Sequence, residues 1–283
     1  MRQSDPLSAT SPTHEQPGYL DQDGEQLYYV LSLPPEPWRG SVLLIPPFGD
    51  DLLRLHHVCL KWARFLASQG FLVLRFDYRG TGESTGDFEE MCLSRWIEDT
   101  QACIAFVRNR APHLPLVLHG FRLGGLLASR VFAAGYGDAM LLWAALSGPE
   151  HIADAIRRRL AADLTKKAGA RRGSRDQYIA DFKSGRHVVL DGYPWSPQLW
   201  KEANAAPLML PENHERRPWL LVHLGQVDGP AETDHVTRTP LAVFPFKRGG
   251  DPMESNLDSV FGPNIQWIHK TVSSFSTHQC DPS

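Results

Sequence analysis

Short apolar runs alternate along the chain with longer stretches whose apolar residues recur every third or fourth position. Gln26–Leu33 reads as a first strand. Val42-Leu43-Leu44-Ile45 reads as a buried strand stopped by Pro46-Pro47. His57–Ser68 carries Val58, Trp62, Phe65 and Leu66 at helical spacing and stops before Gly70. Phe71–Phe76 is a second apolar strand. Leu93–Asn109 sets Trp96, Thr100, Cys103, Ile104 and Val107 on one helical stripe. Leu116–His119 then reads as a strand, Leu123–Ala133 as a helix, and Met140–Ala144 and Trp219–Leu224 as strands. Ile265–His269 reads as the last strand.

Strands alternating with helices imply an α/β fold, a mainly parallel sheet covered on both faces. The alternation breaks between Ser147 and Glu212, where the chain turns helical, basic, and then rich in Trp and Pro (Tyr193-Pro194-Trp195-Ser196-Pro197). This predicts a cap of about residues 149–212 inserted after the carboxyl end of a strand, the end at which ligands enter open α/β sheets. The start of the chain is rich in Ser, Pro, Thr and Gln, so residues 1–18 are expected to form a disordered arm and residues 19–283 a single domain.

Composition narrows the function classes. With 42% hydrophobic and 22% charged residues the chain is ordinary globular protein. A net charge of −3 gives no general attraction to nucleic acid. The apolar runs are too short for stable membrane insertion, and the N-terminal sequence lacks the layout of a signal peptide. Cys59, Cys92, Cys103 and Cys280 are scattered, which argues against a disulfide framework or zinc and for a reducing cytoplasm. His56-His57 near Cys59 lack a clear further ligand, and Gly80–Gly86 fits neither a dinucleotide fingerprint nor a phosphate loop. No metal or cofactor is expected. Charge is uneven, however: Arg157–Arg186 holds ten Lys or Arg against three Asp. That run is either a solvated helical face or a basic cover over a site for anions.

The most informative stretch is Leu116-Val117-Leu118-His119-Gly120-Phe121-Arg122-Leu123-Gly124-Gly125-Leu126-Leu127-Ala128. A buried strand, a glycine-flanked turn and a small-residue helix form the frame of Gly-x-Ser-x-Gly, with Arg122 at the nucleophile position. Two further segments belong with it: Leu44-Ile45-Pro46-Pro47-Phe48-Gly49, and Phe76-Asp77-Tyr78-Arg79-Gly80-Thr81-Gly82-Glu83-Ser84. In this order they resemble the α/β-hydrolase superfamily. The resemblance implies the α/β-hydrolase fold and an acid at Asp228, in the loop after Trp219–Leu224. Gly192-Tyr193-Pro194-Trp195-Ser196-Pro197, Val260–Trp267 and the elbow further resemble the subgroup associated with exosortase systems. That likeness implies a bacterial protein encoded near exopolysaccharide and protein-sorting genes.

The chemistry that survives is partial. A guanidinium stays protonated and does not attack a carbonyl, so covalent serine catalysis is not expected. The family's base belongs just after the last strand. On the reading of Ile265–His269 as that strand its place falls near Ser274, leaving His269, His278 or no residue as base. Backbone amides of Phe48 and Leu123 are the expected oxyanion donors. Arg122 therefore either pairs with Asp228 and plugs the old site, or holds an anionic ligand beneath the cap, with Phe48 and Leu123 lining the pocket. Three readings follow. One is a protein with a degenerate triad that binds a small anionic, acyl or sugar ligand. Another is an active hydrolase or acyltransferase using a recruited His–Asp pair. The third is a scaffold that docks a protein partner through the cap.

Overall fold

The computed structural model describes residues 14–164, 173–212, 217–224, 233, 235–239 and 257–278. Eight strands form one sheet: β1 (His14–Gln22), β2 (Glu25–Leu33), β3 (Gly40–Ile45), β4 (Phe71–Phe76), β5 (Leu116–Phe121), β6 (Ala139–Trp143), β9 (Trp219–Leu224) and β10 (Val236–Thr239). A short hairpin outside the sheet supplies β7 (Val188–Leu190) and β8 (Tyr193–Trp195). The spatial order is β1-β2-β4-β3-β5-β6-β9-β10. From β4 to β10 all neighbours are parallel, while β1 and β2 form an antiparallel edge.

The central strands β3, β5 and β6 are buried at every position, as strands covered on both faces must be. On one face lie α1 (Asp50–Ser68) and α7 (Leu257–His278), which pack Val58, Trp62, Leu66, Phe261, Ile265 and Ile268 against the sheet. On the other lie α2 (Leu93–Arg110) and α3 (Leu123–Ala133), contributing Trp96, Ile104, Leu127 and Phe132. Between β6 and β9 the chain forms α4 (Gly148–Leu164), α5 (Arg175–Lys183), the β7–β8 hairpin and α6 (Pro197–Asn204). Ile152, Phe182, Trp195 and Leu199 of this insertion join the same core cluster as α2 and α3.

Three expectations change. His14–Gly18 belong to β1, which pairs along its whole length with β2, so the arm is ordered from His14 onward. α1 begins at Asp50 rather than His57. Its first turn is acidic, and acidic residues favour the positive end of a helix. Ile265–His269 is helical. Val260, Phe261, Asn264, Ile268 and Val272 recur at three- and four-residue spacing through Pro263, and that period prevails over the β-branched and aromatic look of the segment. Among the described residues the last strand is β10. Among the described residues no helix is long and apolar enough to cross a membrane.

Candidate functional site

The elbow is built as its glycines require. A Cβ on Gly124 would stand 2.2 Å from the Ile45 carbonyl oxygen and 2.3 Å from that of Pro46. One on Gly120 would stand 2.5 Å from the Gly124 oxygen. Arg122, between β5 and α3, has φ 51° and ψ −116°. This is the strained conformation that lifts a nucleophile above the sheet, and it costs a non-glycine residue about 1–3 kcal/mol. The Arg122 amide donates to the Trp143 carbonyl at 3.0 Å, fixing the turn.

Two of the three guanidinium nitrogens are engaged: Arg122 Nε donates to Asp51 Oδ2 at 3.1 Å, and Nη2 donates to Asp154. Asp51 stands in the first turn of α1, just past the loop after β3, while Asp154 comes from α4 of the insertion. Arg158, one turn further along α4, donates to Asp154 at 2.9 Å and lies 3.9 Å from Asp51. It also holds Asp191 in a fork, with Nε at 2.9 Å. Asp191 is at the tip of the β7–β8 hairpin with φ 51°. It lies against Gly49, where an added Cβ would meet the Asp191 side chain at 3.2 Å. Five charged groups from four segments thus close over the elbow.

The network holds Asp154 ionised. Burial pushes the Asp154 pKa up, but Arg122, Arg158 and Arg157 together outweigh it and bring it below the usual carboxylate range. Burial opposes the charge on Arg158, and Asp191, Asp51 and Asp154 more than restore it.

His151 lies one helical turn before Asp154 on α4 and is fully buried. Burial depresses its pKa to about 4. Arg122 and Arg158 reinforce that shift, against the pull of Asp51 and Asp154. Its ring stacks on Trp195 at 6.2 Å and 22°. Trp195 in turn packs against Phe48, whose ring also meets Phe88, Trp96 and Tyr193. The side chains of Phe48 and Leu123 are core residues. Among the described residues neither of their amides has an acceptor, as an oxyanion site requires.

His269, one of the two proposed bases, does not lie at this site. His269 is on α7, with its ring 5.2 Å from that of Phe71. Phe71 opens β4 and, through β3, is level with the start of β5, whereas Arg122 follows the end of β5. Six residues at about 3.3 Å each separate those levels by roughly 20 Å. His278 ends the same helix, and its side chain is outside the described residues. Ser274 is on α7 as well, its hydroxyl donating to the Thr271 carbonyl at 2.7 Å. With β10 as the last strand, the segment that follows it, residues 240–256, contains no histidine. Asp228 is outside the described residues.

Arg157, Arg158, Arg159 and Arg186 of the basic run each pair with an aspartate. The sequence reading missed Asp51, Asp154, Arg158, Asp191 and His151. His151, Asp154 and Arg158 do share one face of α4 by spacing, and that stripe was the available signal.

The fold and elbow define the class, the α/β hydrolases. Residues 36–194, more than half of the chain, match the family described as serine aminopeptidase, S33, and the chain belongs to that family. Among solved structures it is similar to a soluble variant of monoglyceride lipase from Saccharomyces cerevisiae in complex with a substrate analog. That pair shares 16% identity at a TM-score of 0.60, over 94% of this chain and 98% of the lipase. It is also similar to Est1E from Butyrivibrio proteoclasticus with ferulic acid bound, at 13% identity and a TM-score of 0.59, covering 90% and 99% of the two chains. Hypothetical protein PA2218 from Pseudomonas aeruginosa shares 17% identity at a TM-score of 0.57, over 95% and 96%. These likenesses show the fold. No curated protein matches the chain.

Proposed function

We propose that this chain is an α/β hydrolase without a nucleophilic serine, which binds a small anionic ligand with an acyl or sugar body at the elbow and forms no covalent intermediate. The observation that supports this is Arg122 at the nucleophile position, with its Nε and Nη2 on two carboxylates. Asp51 and Asp154 occupy the seats that a ligand carboxylate or phosphate would take. Asp154 belongs to the inserted α4, so a ligand that replaces it at Arg122 releases the insertion from the elbow. The unused amides of Phe48 and Leu123 add donors for the same anion. The resemblance of the elbow, Gly192–Pro197 and Val260–Trp267 to the exosortase-associated subgroup supports a ligand drawn from bacterial exopolysaccharide or protein-sorting chemistry.

Two measurements test the reading. A fluorophosphonate probe followed by intact-mass analysis is expected to leave the wild type unlabelled, and an adduct on a serine overturns the proposal. Titration with hexanoate and with inorganic phosphate at constant ionic strength is expected to raise the melting temperature of the wild type but not of Arg122→Gln. Equal responses overturn the assignment of the anion to Arg122.

A further inference from the structure

The rings of His151 and Trp195 lie near-parallel with centroids 6.2 Å apart, and both are fully buried. Among the described residues, both ring nitrogens of His151 and the indole nitrogen of Trp195 lack hydrogen-bond partners. Three unpaired polar atoms in one buried contact are unusual. Each unmade hydrogen bond costs about 1–3 kcal/mol, and a purely structural pair would have little reason to retain them. An apolar ring at either place would carry no such penalty.

Their position is informative. His151 is three residues before Asp154 on α4, on the face turned to Arg122. The Trp195 ring lies 5.6 Å from that of Phe48, in the loop whose amide is an oxyanion candidate. The pair therefore flanks the anion site on the side of the insertion. Its depressed pKa keeps His151 neutral at physiological pH. A neutral imidazole offers one N–H and one lone pair, and the indole offers one further N–H. Two donors and one acceptor complement an alcohol, which donates one hydrogen bond and accepts two.

We infer that His151 and Trp195 form a subsite for a hydroxyl group of the ligand, making the ligand class a hydroxylated acid such as a sugar acid rather than a plain fatty acid. The inference rests on the anionic-ligand reading above. The carboxylate sits on Arg122, the adjoining carbon carries its hydroxyl toward the stacked rings, and the aromatic cluster around Phe48 covers the carbon skeleton.

Gluconate and hexanoate test this directly, because both are six-carbon carboxylates and only one is hydroxylated. Isothermal titration of the full chain is expected to show gluconate binding about tenfold tighter, the effect of pairing polar groups otherwise left unmatched. In His151→Phe and Trp195→Phe the ratio of the two affinities is expected to fall below about threefold. Equal binding of the two acids by the wild type overturns this inference and leaves the anion reading standing. Binding of neither acid overturns both. If a variant does not fold, nitrogen NMR of the wild-type imidazoles decides. The His151 signals are expected to move on adding gluconate and not hexanoate, and the absence of that difference overturns the subsite.

Discussion

Arg122 and Asp154 form an ion pair that joins the elbow of the sheet domain to α4 of the insertion. Both side chains are mostly buried, at 17% and 15% exposure, so solvent screens the pair little. Arg122 also reaches Asp51, and Asp154 also reaches Arg157 and Arg158, so Arg122 has two partners and Asp154 three. Removing one member leaves charged neighbours buried without full compensation, which is costlier than replacing the set with apolar groups.

Arg122→Met is therefore expected to destabilise the protein by about 3–5 kcal/mol, measured from the urea midpoint. Asp154→Leu is expected to cost somewhat less, because Arg122 keeps Asp51. The double variant is expected to fall short of the sum by about 1–3 kcal/mol. Additive losses would show that the two residues do not interact in solution.

The backbone at Arg122 supports a separate expectation. At φ 51° glycine is free of the strain that any side chain with a Cβ must bear. Both Arg122→Ala and Arg122→Gly remove the guanidinium, so the difference between them isolates the backbone. Arg122→Gly is expected to be more stable than Arg122→Ala by about 1 kcal/mol or more, the reverse of the usual order near a helix. The usual order in thermal unfolding would mean that the elbow has relaxed to an ordinary turn.

The sheet and the elbow were legible from sequence because their signals are local. Phe71–Phe76 and Trp219–Leu224 are strands at the residues where their apolar runs lie, and Leu123–Ala133 is a helix with the same bounds. The last helix was not legible as such, since Ile265-Gln266-Trp267-Ile268-His269 has strand-like composition and its helical period emerges only over a longer window. That error moved the expected base to Ser274 and made His269 a candidate. The charged network was also hidden. Asp51, Asp154 and Asp191 are far apart in sequence, and nothing local distinguishes them from solvated carboxylates. A positively charged run suggested an open anion site, yet four of its arginines are matched by aspartates within the fold.

The glycines after Arg122 make different demands. At Gly124 an added Cβ meets the backbone oxygens of Ile45, the last residue paired in the β3 ladder, and of Pro46, which accepts from the Tyr78 hydroxyl at 2.9 Å. At Gly125 it meets the Ala145 Cβ at 2.5 Å. Gly124→Ala is expected to cost more than about 4 kcal/mol, and no neighbouring substitution should repair it. Gly125→Ala is expected to cost about 1–3 kcal/mol, and Ala145→Gly should restore most of that loss. Failure of that rescue in paired denaturation curves would place the obstruction elsewhere.

Acid should weaken the fold through its buried histidines. The His151 pKa is lowered from 6.5 to about 4, chiefly by burial, and that of His119 to about 3 for the same reason. Above pH 6.5 both are neutral in either state. As the pH falls below that value the unfolded chain takes up protons that the native rings resist. Stability is thus lost across the interval from 6.5 to about 4 for His151, and to about 3 for His119. For His151 the loss is at most on the order of 3 kcal/mol. Asp99 works in the opposite direction: burial, outweighing Arg79, raises its pKa from 3.8 to about 6, so its contribution is lost as the pH rises through that value. The net slope of the wild type mixes these effects, but the difference between wild type and His151→Phe isolates one. The variant is expected to lose less stability between pH 7 and 4 in parallel urea titrations. Parallel curves would mean that the His151 imidazole titrates in the folded protein as it does in the unfolded chain.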